Sequence, residues 1–242
     1  MALILVRLRL LIASRSRGQG PGASVYYVTS WIIGVAFGLL AATGTAVFVS
    51  AGGLGDALLL GAFTVISLPW LMGPILEPSL ADGTVDPRRL EQFPLSSRQQ
   101  VTGLLLGAMI APTAAFTALF ALGSVAALNQ TPASRFAALL TSLLFAVMCV
   151  AVSRSAQAVL AESLRSRRGR DFAALLASLM VLGLSAASVH LRTTIASLND
   201  QLGGPIGEVV AWLPPGAAAR AIIDARDGNW ADYAVRLSVV VA

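Results

Sequence analysis

The chain of 242 residues is 56% hydrophobic and 12% charged, with a mean hydropathy of +0.77, values that exclude an ordinary soluble domain and predict an all-α polytopic membrane protein. All 17 basic residues are arginine, so a Walker A phosphate loop, which needs a lysine, is excluded; one cysteine, Cys149, and one histidine, His190, leave no disulfide pair and no Cys/His zinc cluster without an outside partner. The net charge of +5 comes from arginines at the ends of apolar runs, with no basic stripe interleaved with aromatics, so it predicts membrane orientation and no nucleic-acid partner.

Residues 1–24 read as an amphipathic helix on the inner membrane surface followed by a Gly/Pro linker, with a loose basic tail as the alternative. Arg7 and Arg9 interrupt the apolar start before it reaches the length of a signal-peptide core. Spans are expected at about 25–50, 57–76, 97–128, 135–164 and 171–191, each long enough to cross a hydrocarbon core of ~30 Å. A sixth apolar run, 231–242, covers only about 15 Å as a helix, so the sequence is expected to stop inside its last span or to be the first part of a longer protein.

Arginine placement predicts sidedness. Arg7, Arg9, Arg15 and Arg17, then Arg88, Arg89 and Arg98, then Arg154, Arg165, Arg167, Arg168 and Arg170 fall on one side, assigned to the cytoplasm together with the N-terminus. Arg135, Arg192, Arg220 and Arg226 fall on the other, mixed with Asp200, Glu208, Asp224, Asp227 and Asp232. Within the spans, Gly34/Gly38 and Gly103/Gly107 form small-xxx-small pairs, read as packing against neighbours within the chain. Arg154 is read as an anchor at the inner interface that snorkels or pairs with Glu162.

Two polar interruptions stand out. Residues 77–98 contain Asp86-Pro87, an N-cap followed by a first-turn proline, a short helical stretch ended by Phe93-Pro94, and a Ser96-x-x-Gln99 capping box that starts the third span. Residues 200–230 contain Gly203-Gly204-Pro205, the run Trp212-Leu213-Pro214-Pro215, a helix-favouring GAAARAIIDA segment ended by Asp227-Gly228-Asn229, and the flanking anchors Trp212 and Trp230. Two proline-broken helices too short to cross predict a re-entrant or surface-lying hairpin on the non-cytoplasmic side.

The order of these parts resembles the membrane subunit of ABC-2 type exporters over essentially the whole chain. The D-P-R-R-L…P-L-S loop (Asp86–Arg98) and the W-L-P-P-G-x-A-A-R-A hairpin (Trp212–Ala221) look most like permeases of high-GC Gram-positive bacteria. The resemblance implies a type V exporter-like domain of six helices in the bacterial plasma membrane, working with a second permease half, fused C-terminally or separate. It also implies an ATP-binding subunit, homodimeric or tandem, that carries ATP and Mg; no cofactor is expected in this chain. The 77–98 loop would then be a coupling helix, with Asp86, Pro87, Arg88, Arg89, Leu90, Phe93, Pro94, Leu95 and Arg98 contacting that subunit, while Trp212, Pro214, Pro215 and Arg220 form the external hairpin.

A substrate pathway is expected along the first, second and fifth spans, with Phe37, Thr43, Thr45 and Phe48 as its candidate lining residues. No nucleophile turn or metal-ligand spacing suggests an intramembrane enzyme, so no catalytic or metal-ligating residue is expected. The alternatives are a secondary transporter, which would want a midplane carboxylate that the runs lack, or a non-catalytic membrane scaffold.

Overall fold

A computed structural model describes residues 21–51, 53–76, 97–109, 111–127, 131–163 and 205–241, together with the isolated helical positions 175, 178, 179 and 182. The elements are α1 (Pro21–Ala51), α2 (Leu54–Leu76), α3 (Ser97–Met109), α4 (Pro112–Ala127), α5 (Pro132–Ser163), α6 (Pro205–Trp212), α7 (Pro214–Asp227) and α8 (Trp230–Val241). No strand occurs among the described residues. Among the described residues, three stretches are long and apolar enough to cross a membrane: Val28–Ala51, Leu54–Gly73 and Pro132–Gln157, of 24, 20 and 26 residues.

Proline sets most of the helix starts. Pro21, Pro112, Pro132, Pro205 and Pro214 each open a helix, where the missing N–H would have had no intrahelical partner. Hence α1 begins at Pro21, inside the segment expected to be linker, and α5 begins at Pro132, ahead of the expected 135. Thr131 and Ser134 cap α5 reciprocally: Thr131 N donates to Ser134 Oγ at 3.3 Å and Ser134 N to Thr131 Oγ1 at 3.2 Å.

Pro112 corrects the expected third span. One helix over 97–128 is not what forms; α3 ends at Met109 and α4 starts at Pro112, with a bend at Ala111. Proline cannot donate to the Ala108 carbonyl, and its ring disfavours helical geometry at the preceding residue. The Ala111 carbonyl instead starts α4 by accepting Ala115 N at 3.0 Å. The surface-helix segment 1–20, loop residues 77–96 and most of 164–204, including His190 and all of the expected fifth span but positions 175, 178, 179 and 182, lie outside the described residues.

The core is centred on three phenylalanines from three helices. Phe63 of α2 tilts against Phe120 of α4 at 4.9 Å and against Phe145 of α5 at 4.6 Å between ring centroids, and Phe63 and Phe145 are completely buried. Leu59, Val49, Ala138, Cys149, Ala218 and Ile222 close around them. The opposite faces of α1 and α5 carry Val28, Ile32, Phe37, Leu40, Phe136 and Leu143 outward, the pattern of helices bathed in lipid.

Small residues bring α1 and α4 together. A Cβ at Gly34 would lie 2.8 Å from the Pro112 carbonyl oxygen, and one at Gly38 would lie 2.9 Å from Leu119 Cδ1, so the Gly34/Gly38 pair packs within the chain as expected. From the other side, Gly123 faces Ala42 and Thr45 so closely that a Cβ would collide with the Ala42 carbonyl and the Thr45 hydroxyl. Gly123→Ala is therefore expected to destabilise the bundle by about 1–3 kcal/mol. Gly44→Ala, where nothing lies within 4 Å of the new methyl, should be neutral or stabilising by roughly 0.5–1 kcal/mol. Thermal unfolding of the two variants in detergent compares them directly.

Candidate functional site

The segment with the most specific geometry is the α6–α7 hairpin, held between the spanning helices and α8. Its corner is built by Leu213-Pro214-Pro215-Gly216. In an unbroken helix the amides of residues 214 and 215 would bond the Val210 and Ala211 carbonyls, and prolines have no amide hydrogen to give. Other donors take over: Leu213 N reaches Val210 O at 3.1 Å, and the Arg236 guanidinium, arriving from α8, reaches Ala211 O at 2.7 Å. Leu213 is extended, with φ −70° and ψ 146°, and its carbonyl accepts Ala217 N at 2.7 Å to start α7. Gly216 completes the corner, because a Cβ there would collide with the Val210 carbonyl oxygen.

Behind the corner, α7 inserts between α2 and α5. Gly216, Ala217, Ala218, Ala219 and Ala221 are buried, and these short side chains let the helix lie close against its neighbours. Its end follows the expected signal: Gly228, at φ 80°, takes the left-handed cap position and Asn229 N closes onto Asp224 O at 2.8 Å. A 14-residue helix covers only about 21 Å, so α7 is buried among spanning helices without being long enough to cross.

Arg236 was not anticipated. The run 231–242 reads as apolar from its composition, yet Arg236 sits in the middle of α8 and turns inward. Besides the bond to Ala211 O, its guanidinium carbon lies 4.1 Å from the centre of the Trp212 ring, so it places a cation at the C-terminus of α6 and against an aromatic face. An arginine inside a short apolar helix was the available signal. Trp212 keeps about half its surface exposed, and Trp230 packs edge-on against Tyr233, which donates to the Ala137 carbonyl of α5 at 3.2 Å.

A second arginine joins the far end of α7 to the α1–α2 turn. Arg226 NH1 and NH2 hold both carboxylate oxygens of Asp56 at 2.7 and 3.0 Å, and NH1 also reaches the Val49 carbonyl at 3.0 Å. Bonds to Asp56 first, and to Asp227 next, hold this guanidinium protonated more firmly than usual against the opposing effect of burial. Asp56, the start of α5 and the α7–α8 turn thus gather at one end of the bundle.

Arg220, Asp224 and Asp227 share the open stripe of α7, at the spacing i, i+4, i+7. Burial pushes the Asp224 carboxyl above its usual range; Arg236 opposes this, Asp232 adds to it, Arg220 opposes it and Asp227 adds to it.

The four residues expected to line a pathway do not converge. Thr45 is completely buried and shares its hydroxyl proton between its own Ala42 carbonyl at 2.9 Å and the Phe120 carbonyl of α4 at 2.8 Å, which makes it a helix-to-helix tie. Phe48 packs against the core cluster, while Phe37 and Thr43 point outward, Thr43 bonding its own Leu40 carbonyl at 2.7 Å. Arg154 bonds Gln157 Oε1 at 3.0 Å, and the side chain of its expected partner Glu162 lies outside the described residues. Of the expected coupling residues, Asp86, Pro87, Arg88, Arg89, Leu90, Phe93, Pro94 and Leu95 lie outside the described residues, and Arg98 stands in the first turn of α3. Among the described residues no cluster of His, Cys, Asp and Glu could hold a metal ion.

The long apolar helices, their lipid-like outer faces and the interhelical ties to backbone carbonyls define a helical membrane protein. No protein-family model, curated protein or solved structure matches the chain.

Replacing Arg236 by leucine leaves the Ala211 carbonyl without its donor and should cost roughly 1–3 kcal/mol. Lysine, keeping one donor but no planar fork, should recover part of it, as read by thermal unfolding in detergent. For Asp224, a folded pKa above the unfolded one means the folded state binds the proton more tightly, so stability falls as pH rises through the folded pKa. Asp224→Asn should therefore raise Tm at neutral pH, and the gain over wild type should shrink as the pH is lowered through the folded pKa of Asp224.

Proposed function

We propose that the chain is the membrane-spanning half of an ATP-driven exporter of the ABC-2 type, seated in a bacterial plasma membrane with its N-terminus in the cytoplasm. A separate ATP-binding subunit, carrying ATP and Mg, would drive it through the Asp86–Arg98 loop. The observation that carries this reading is the hairpin. A proline-hinged pair of helices too short to cross, the second of them (α7) buried against α2 and α5, is followed directly by α8, the arrangement that the resemblance to this family implies for the segment before the last span.

The energetic logic supports the same reading. These 242 residues hold no lysine and so no phosphate loop, and free energy from ATP would have to reach them through contact with an ATP-binding unit. A polar segment carrying Arg88 and Arg89 between two apolar runs offers charge complementarity and an apolar ridge for that contact. The bundle itself would form one wall of the pathway, the other coming from the second half. A secondary transporter or a membrane scaffold remains the competing reading.

Purification of the membrane complex should bring down a Walker-type ATPase in stoichiometric amount. Arg89→Glu should reduce transport-coupled ATP hydrolysis by at least ten-fold while the permease still accumulates in the membrane. Unchanged hydrolysis would remove the coupling assignment, and a flux that follows the proton gradient without ATP would favour the secondary transporter.

A further inference from the structure

The bonds of Arg226 divide into two sets. Asp227, held by Nε and NH2 at 2.8 and 3.3 Å, is its neighbour in sequence and travels with it wherever α7 goes. Asp56, held by NH1 and NH2 at 2.7 and 3.0 Å, and the Val49 carbonyl at 3.0 Å belong to the α1–α2 turn. If the end of α7 moves away from that turn, the second set breaks and the first remains.

Opening an ion pair this sheltered, with the side chains 14% and 20% exposed, would ordinarily strand both charges. Here neither is stranded. Arg226 keeps Asp227, and Asp56 stands in the first turn of α2, where the helix N-terminus favours a carboxylate. In the closed arrangement two carboxylates share one guanidinium and repel each other, so Asp227 weakens the closed state as well as supporting the open one. Glycines flank both halves: Gly53, at φ 43°, forms the turn that leads into Asp56, and Gly228, at φ 80°, follows Asp227.

We propose that Asp56–Arg226 is a releasable clasp, by which the end of α7 closes on the α1–α2 turn and opens from it with Asp227 as the standing partner of the guanidinium. The clasp concerns a local equilibrium of this chain and does not depend on what the chain transports. Its failure and that of the export reading are therefore separately visible.

The two carboxylates give opposite expectations, which a static bridge would not. Removing Asp56 takes away the closed partner and favours opening, whereas removing Asp227 takes away the open partner and the competition, and favours closure. The full-length protein in lipid nanodiscs, with Cys149→Ala, carries spin labels on Ser50→Cys and Asn229→Cys, both exposed positions on the two halves. Dipolar spectroscopy covering short distances then reads the closed and open populations. The longer-distance population should grow at least two-fold in Asp56→Asn and shrink at least two-fold in Asp227→Asn. A shift of both variants in the same direction, or of neither, overturns the clasp. If Asp56→Asn does not accumulate as folded protein, Asp227→Asn decides alone: shrinkage supports the proposal, and growth or no change overturns it.

Discussion

Hydrogen bonds from the side chains of one helix to the backbone carbonyls of another hold this bundle in register. In a hydrocarbon surrounding, apolar side chains gain little by exchanging lipid for protein, so helices associate through close backbone approach and interhelical polar ties. The structure uses both together. Thr45 reaches the Phe120 carbonyl and Ser142 the Ala121 carbonyl, at 2.8 and 2.9 Å, tying α1 and α5 to adjacent positions on α4. Trp70 adds a bond from α2 to Thr117 of α4 at 2.9 Å. Gly123 makes the α1 contact sterically possible, so the hydrogen bond and the packing at that crossing are one interaction.

The hairpin extends the same rule to a place where the backbone is broken. Two consecutive prolines leave two carbonyls without their usual donors, at the corner from which α7 runs in among apolar helices. One is repaired locally by Leu213 and the other from a distance by Arg236. The repair makes α8 part of the corner. An arginine that would be costly in an apolar helix is offset by a carbonyl, an aromatic face and a helix terminus. At the opposite end of α7, Arg226 does comparable work for the Val49 carbonyl while joining two carboxylates.

Local signals in the sequence translated well into local structure. Pro214, Gly228 and Asp227 placed the start and end of α7, and the Gly34/Gly38 spacing marked a close helix crossing. Pro112 was present in the sequence and was outweighed there by the unbroken apolar composition around it. The same bias hid Arg236, because a run averaging as apolar tolerates one charge without changing its mean. Thr45 illustrates a different limit: a threonine on an apolar helix can line a passage or tie two helices, and only the neighbour it meets distinguishes the two.

Sequence alone determined that the chain is helical and membrane-embedded, where α7 starts and stops, and that a short hairpin precedes α8. These follow from composition, proline and glycine chemistry and chain length, all of which act within a few residues. Tertiary structure decided which carbonyl each buried polar side chain satisfies, and therefore which helices are neighbours. Arg226 and Asp56 are 170 residues apart, and nothing in the periodicity of either helix specifies the other. Their pairing arises only when α7 has been packed against α2, which fixes the one orientation in which a sheltered guanidinium meets a carboxylate.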